Sequence, residues 1–181
     1  GNVLVSSLAN TDGVDLGSLG DVNTKMTLQN GGALQTSAAI TTTQKIVLGE
    51  DGGGFNVTGN TLTITNPVTG GNKPVFKKGS GILNFASSAV NNNFGVFTVE
   101  AGTVQCEADI NSNKTFQDTL VLGAGTTLRH NNGTGSYNTD VTKVKVNSGT
   151  ANWYLDGRCN YTNQIFGAGT LRLYPQDDIS R

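Results

Sequence analysis

Residues 79–106 read GSGILNFASSAVNNNFGVFTVEAGTVQC, and this stretch decides the fold. It holds two units, 79–85 and 100–106, in which a turn of small residues leads into alternating apolar and polar residues. Glycine adopts the positive φ of tight turns without steric cost, and alternation with a period of two is typical of a half-buried strand. The stretch therefore predicts two short strands, each entered through a glycine turn.

The same unit returns along the chain. Two further clear copies occupy residues 123–129 and 167–173, and weaker copies begin at residues 31, 59 and 148. The pivot glycines, which are 20 to 27 residues apart, are Gly32, Gly59, Gly81, Gly102, Gly125, Gly149 and Gly169. A strand-rich repeat of this length matches one coil of a β-solenoid and is shorter than a propeller blade of about 40 residues. The repeat predicts an all-β fold, a right-handed parallel β-helix of about seven coils.

Alternation within the copies predicts which side chains face the core. After Gly102, we expect Val104 and Cys106 to point inward and Gln105 and Glu107 to point outward. Aligning the copies on their glycines predicts one inward column, formed by Leu34, Leu83, Val104 and Leu171. The copy at Gly125 is out of step by one residue, because Leu128 rather than Thr127 must point inward. A β-bulge would account for that offset.

Second strands are expected between the glycine units, at residues 45–48, 95–99, 119–122 and 141–146. No window of about a dozen residues shows a 3.6-residue apolar period, so no substantial helix is expected. Regularly spaced strands with turn signals also occur in β-sandwiches, which is the alternative fold. We expect residues 1–30 to form an N-terminal cap or first coil, 31–175 the repeat region, and 176–181 a C-terminal tail.

Composition and charge exclude several classes of function. Charged residues make up 14% of the chain and the formal net charge is −1, with no basic stripe, so a nucleic-acid partner is not expected. No apolar run approaches the roughly 18 residues of a membrane-spanning helix, so no transmembrane segment is expected.

Cys106 and Cys159 form no CxxC pair and His130 is the only histidine, which argues against a zinc or iron–sulfur site. No cofactor is expected. The cysteines are interpreted as separate small apolar residues, with a disulfide between them as the alternative.

Residues 79–105 resemble the autotransporter-associated β-strand repeat. That repeat reads roughly GSGTLTLSG, then a polar turn ending in glycine, then a TTVxAGTLQ-like strand; here the corresponding segments are 79–84, 91–95 and 96–105. The resemblance implies a right-handed parallel β-helix in a passenger or surface region of a secreted bacterial protein. It extends in part to residues 123–129 and 167–173, whereas residues 152–155 and the insertion after Gly70 depart from the pattern. Such repeats serve as scaffold, so the resemblance implies no activity.

Three weak chemical signals have simpler explanations. Glu107 and Asp109 lie two apart on one predicted strand, and paired carboxylates bind Ca²⁺ or act as acid and base on glycans. A solvated face, with a cross-coil ion pair to Arg129, is the preferred interpretation. The glycine run after Asp51 is interpreted as turn chemistry, and His130 alone is a poor candidate for a catalytic base.

A ladder of outward aromatic and polar side chains is a candidate glycan contact. Sugars place their C–H faces on aromatic rings and exchange hydrogen bonds with amides and guanidinium groups. The residues expected to form this ladder are Gln105, Arg129, Asn152, Tyr154, Arg172 and Tyr174.

The sequence predicts a non-catalytic stalk or passenger segment, located outside the cell or on the cell surface. Expected partners are an extracellular glycan or a host or cell-surface protein. The alternatives are a carbohydrate-binding module attached to a glycan-active protein, a phage tail or spike segment, and a polysaccharide lyase or hydrolase.

Overall fold

The structure is a computed structural model that describes residues 2–5, 25–89, 92–107, 115–130, 136–138, 143–155, 158–160 and 164–175. Every regular element in these ranges is a β-strand, and none of them contains a helix able to cross a membrane. The strands are β1 (Asn2–Val5), β2 (Lys25–Leu28), β3 (Gly32–Thr36), β4 (Ile40–Thr42), β5 (Lys45–Leu48), β6 (Gly53–Val57), β7 (Thr61–Ile64), β8 (Val75–Lys78), β9 (Ile82–Phe85), β10 (Phe97–Val99), β11 (Thr103–Cys106), β12 (Thr119–Leu122), β13 (Thr127–His130), β14 (Ser136–Asn138), β15 (Lys143–Val146), β16 (Thr150–Leu155), β17 (Arg158–Asn160), β18 (Gln164–Gly167) and β19 (Thr170–Pro175).

The strands form a β-solenoid. A first sheet of eight strands has the order β1-β3-β6-β8-β10-β12-β15-β18, and a second sheet of seven has the order β19-β16-β13-β11-β9-β7-β4. Two further pairs, β2–β5 and β14–β17, complete the strand pairing. Each strand pairs in parallel with a strand one coil away, over about six turns. The predicted right-handed parallel β-helix is therefore confirmed, at close to the seven coils expected, and the β-sandwich is excluded.

Register places like positions on top of one another. Leu83 pairs with Val104 and Val104 with Leu128, and all three side chains are buried, as the alternation predicts. This inward column starts with Ile40, passes through Leu62 and continues to Trp153. Each coil thus buries its apolar residues against its neighbours, so stability depends on coil-to-coil interfaces.

Two members of the predicted column lie elsewhere. Leu34 belongs to β3 in the first sheet, where it pairs with Phe55. The turn at Asn30 and Gly31 leads into a first-sheet strand, although in sequence it looks like the turns that lead into the second sheet. Leu171 pairs with Ala151 and forms a separate inward position, because β16 and β19 are six residues long and begin earlier in register.

The copy at Gly125 is out of step for a different reason than a bulge. The ladder from β11 to β13 is continuous over four pairs, and Leu128 is buried as predicted. The extra residue lies in the turn before β13, where the Thr126 hydroxyl donates to the carbonyl of Gly123 at 2.7 Å. A longer turn therefore absorbs the insertion, and the strand keeps its regular pairing.

Phenylalanine rings fill the middle of the stack. The rings of Phe85, Phe94, Phe97 and Phe116 are all fully buried, and neighbouring centroids are 5.1 to 6.4 Å apart in tilted or edge-to-face orientations. Such arrangements contribute about 0.5–1.5 kcal/mol per pair beyond area burial. By contrast, Ile165 and Leu173 in the last described coil are 47% and 46% exposed.

The terminal regions are described only in part. β1 pairs with β3 and β2 with β5, so both strands within residues 1–30 continue the parallel stacking. The predicted tail at 176–181 lies outside the described residues, as do positions 141–142 of one predicted strand.

Candidate functional site

The outer face of the second sheet brings the six predicted glycan-contact residues together. One outward column contains Gln105, Arg129, Tyr154 and Tyr174, each paired with the next across one coil. Asn152 and Arg172 pair with each other two positions earlier on the same strands, in the adjacent outward column. Strand register alone therefore assembles a polar and aromatic surface from four consecutive strands of the sheet.

The two tyrosines stack on one another. The Tyr154 and Tyr174 ring centroids are 4.6 Å apart with an interplanar angle of 11°, and the Arg129 guanidinium carbon lies 5.4 Å from the Tyr154 centroid. Both faces of the Tyr154 ring are thus occupied by protein groups. A sugar approaching this column meets the ring edge and hydroxyl of Tyr154, while one face of Tyr174 points away from the stack.

The expected ion pair between Glu107 and Arg129 is replaced by amide contacts. Glu107 Oε1 accepts hydrogen bonds from Asn84 Nδ2 at 2.7 Å and from Gln105 Nε2 at 3.4 Å. The ion pair recorded among the described residues is Lys78–Glu100 at 3.6 Å, with both side chains about half exposed. Asp109, the other half of the predicted carboxylate pair, lies outside the described residues.

Two buried polar atoms on this face lack a hydrogen bond in the described structure. They are Oδ1 of Asn84 and Nε of Arg129, which lie in the same outward column with Gln105 between them. Asn84 is only 5% exposed, and its Nδ2 also lies 3.4 Å from Thr63 Oγ1. The face therefore combines an amide network at one end with the arginine–tyrosine stack at the other.

His130 is a core residue. Its side chain is fully buried, and its Nδ1 accepts a hydrogen bond of 3.0 Å from Nε1 of Trp153. Its place beside Cys106 and below the Trp153 ring keeps it away from any external substrate. Cys106 is itself buried at a second inward position, in register with Phe85 and His130, as expected for a small apolar residue. Only the backbone of Cys159 is described.

Turn chemistry accounts for the glycine run after Asp51. Asp51 and Gly52 both have positive φ, at 60° and 67°, in the turn between β5 and β6. Across the described ranges, no group of three or more His, Cys, Asp or Glu residues lies close enough to hold a metal ion.

Lys77 is a buried lysine that the sequence analysis missed. It occupies an inward position of the first sheet between Phe55 and Val99, and its relative exposure is 0%. Its ammonium donates to the carbonyls of Gly79 at 2.5 Å, Gly81 at 2.6 Å and Ala101 at 2.7 Å. Burial lowers the pKa of Lys77 from 10.5 to about 8. Alternation along β8 puts residues 75 and 77 on the same face of the strand. Because Val75 is apolar, this pattern could have indicated that Lys77 points inward.

Comparison with known proteins adds no relative. No family model, curated protein or solved structure matches the chain.

Proposed function

We propose that this chain is a non-catalytic structural segment, a rigid stalk or passenger region of an extracellular or surface-exposed bacterial protein. The observation that carries the proposal is the unbroken coil-to-coil ladder: Leu62, Leu83, Val104, Leu128 and Trp153 stack in one buried column across successive coils. A stack with a continuous buried core and hydrogen bonds along its axis resists bending, which is the property a spacer needs.

The resemblance of residues 79–105 to autotransporter-associated repeats supports the bacterial surface location. In that setting the length of the rod is the useful quantity, because each added coil extends the reach by about 4.8 Å. Coil length varies between neighbours, and at Gly125 the turn absorbs the difference without disturbing the ladder. This tolerance is what a scaffold requires, since insertions do not change the pitch.

Distance measurements between spin labels test the spacer proposal. Ser37 and Ser148 are exposed residues in equivalent turns, five coil steps apart, so labels there should be separated along the axis by about 24 Å. The labels are introduced in a background lacking both native cysteines. We expect a narrow distance distribution. A broad distribution in the folded protein would contradict a rigid spacer.

Removing one coil gives a sharper version of the same test. Val75 pairs with Phe97, so deletion of residues 75–96 removes one full turn and joins equivalent positions. The shortened chain should fold and bring the same two labels closer by about 4.8 Å. A deletion of 11 residues from the same region is the matched control, because half a coil breaks the register and should prevent cooperative folding. Unfolding of the full-coil deletion would count against the scaffold proposal.

Glycan binding is the second candidate, and the gathering of all six predicted residues on one face favours it. Glycan-array binding that is lost with Tyr174→Ala but kept with Tyr174→Phe would place the sugar on the face of the Tyr174 ring that points away from Tyr154. Loss with Tyr154→Phe would instead identify hydrogen bonding at the ring edge. Absence of binding for the unaltered protein across the array would remove this candidate and leave the spacer proposal intact.

A further inference from the structure

A cavity on a third side of the solenoid is separate from the outer face of the second sheet. Its volume is about 320 Å³, within the range of small-molecule pockets of roughly 300–1,000 Å³. It lies beside the β2–β5 pair, and the residues lining it are Lys25, Lys45, Ile46, Val47, Asn66, Pro67 and Thr69.

Strand register explains why the cavity forms here. Val47 pairs with Thr69 of the next coil, which brings Pro67 opposite Lys45. The Thr69 amide donates to the carbonyl of Ile46 at 2.9 Å, but proline has no N–H with which to continue that ladder toward the strand start. The Asn66 side chain, which also lines this gap, donates to the carbonyl of Thr43 at 2.5 Å. The interruption leaves an opening between two coils.

Two lysines stand at the side of this opening. Lys25 and Lys45 are direct partners on adjacent parallel strands, and both are exposed. Within the part of the chain that the structure describes, neither ammonium is paired with a carboxylate. Like charges directly opposite each other on neighbouring strands are destabilising. The backbones of Lys25 and Lys45 lie about one strand spacing apart, so an anion bound between their ammonium groups would relieve the repulsion between the two charges.

The rest of the lining is mainly apolar. Val47 is half-buried and faces the cavity beside Pro67, while the Thr69 hydroxyl lies within 3.5 Å of the Ile46 carbonyl. A ligand that fits must therefore present negative charge to the lysines and an apolar surface to Val47 and Pro67. An inorganic anion satisfies only the first condition, and a neutral sugar satisfies only the second.

We propose that this cavity binds a small organic carboxylate with one apolar face, held by Lys25 and Lys45. The carboxylate lies between the two ammonium groups, and the apolar face packs on Val47 and Pro67. Acidic sugars and short aliphatic acids share this chemistry. The inference is independent of the stalk proposal, because a rigid spacer needs no such site.

The proposal is tested by titrating the isotope-labelled chain with D-galacturonate and, separately, with hexanoate. Backbone amide NMR shifts report the binding in each titration. We expect the Val47 and Thr69 amides to shift with at least one of the two acids, with a Kd of about 1 mM or below. Shifts with galacturonate alone identify an acidic glycan as the source, and shifts with hexanoate alone identify an aliphatic acid. D-galactose should produce no comparable shifts.

Charge variants separate the lysine pair from general surface charge. Lys25→Gln combined with Lys45→Gln should weaken binding about tenfold or more, since both ammonium groups attract the carboxylate. Lys73→Gln combined with Lys143→Gln changes net charge equally and should leave Kd within about twofold.

Val47→Glu places a competing carboxylate beside the lysines and should abolish binding in a folded chain. Equal binding of galactose, an unaffected double lysine variant, or no shift with either acid at about 10 mM would overturn the proposal.

Discussion

The ammonium group of Lys77 occupies the space into which a β-carbon at Gly102 would project. The same position is closed by the carbonyls of Gly81 and Gly79, both of which accept hydrogen bonds from that ammonium. Gly102 also has a φ of +72°, a conformation that side-chain-bearing residues rarely adopt. A glycine in one coil and a buried lysine in the preceding coil therefore depend on each other.

Substitution Gly102→Ala should destabilise the chain by on the order of 3 kcal/mol, because it adds overpacking against Lys77 to backbone strain. Gly125→Ala is the matched control, since Gly125 has a φ of +74° but nothing within 4 Å of the added carbon. The control should lose only about 1 kcal/mol. Urea unfolding followed by circular dichroism measures both. Equal losses of stability in the two variants would show that the Lys77 side chain moves aside without an energetic cost.

Lys77 should also give the stability of the chain a specific pH dependence. Its pKa is 10.5 in the unfolded chain and about 8 in the folded one, so the unfolded state binds more protons between these values. The free energy of unfolding contributed by this group therefore rises as pH increases from about 8 to 10.5. Below pH 8 the buried ammonium is charged, and it lowers the free energy of unfolding by its full desolvation cost. The expected gain is on the order of 1 to 3 kcal/mol.

Comparison with Lys77→Met isolates this effect from other groups that titrate in the same range. The difference in unfolding free energy between the two proteins should change steadily across that window and level off outside it. Lys78→Met removes an exposed lysine from the adjacent position. Its unfolding free energy should change with pH in parallel with that of the unaltered chain. A constant difference for Lys77→Met would mean that the three carbonyls keep the lysine at its ordinary pKa.

The repeat and the alternation predicted most of what positions the outer face of the second sheet. Once Gln105 and Arg129 are assigned outward in consecutive coils, parallel stacking requires them to be neighbours, and they are. The stacking of Tyr154 on Tyr174 follows from the same register, but the orientation of the rings does not. Ring planes depend on side-chain packing, and pattern alone gives no information about that.

The positions of Lys77 and Leu171 could not be established from sequence patterns alone. An inward lysine is normally excluded by desolvation, and only the converging carbonyls of Gly79, Gly81 and Ala101 make it tolerable. Those carbonyls come from two coils, so no local pattern reveals them. The column of Leu171 depends on where β16 begins relative to β13, and turn length rather than strand composition sets that.

Asn92 joins coils through a buried amide, and its substitution should be costly. Its Oδ1 accepts from the Val68 amide at 2.7 Å, while its Nδ2 donates to the Ala89 carbonyl at 2.7 Å and to Thr115 Oγ1 at 2.9 Å. Asn92→Ala leaves the buried Val68 amide without its acceptor and should cost about 2 to 3 kcal/mol.

Asn92→Asp distinguishes the roles of the two halves of the amide. It keeps the acceptor for Val68 but faces the Ala89 carbonyl with a second acceptor, so the loss at neutral pH should be larger than for alanine. The loss should shrink in acid, where the carboxyl regains a proton to donate. Thermal unfolding at several pH values measures this. A variant as stable as the unaltered protein would show that Nδ2 contributes nothing.

The Trp153–His130 hydrogen bond links two neighbouring coils inside the core, and a double-mutant cycle can measure it. Trp153→Phe removes the Nε1 donor and opens space in a fully buried site, so we expect a loss of about 2 to 3 kcal/mol. His130→Leu removes the acceptor, and in that background the tryptophan substitution should cost about 1 kcal/mol less, because no buried Nδ1 is then left without a donor. Tyr154→Phe is the neighbouring control on the outer face and should change stability by no more than about 0.5 kcal/mol. Strictly additive losses for Trp153→Phe and His130→Leu in chemical unfolding would mean that ring packing alone, rather than the hydrogen bond, holds these two coils together at this position.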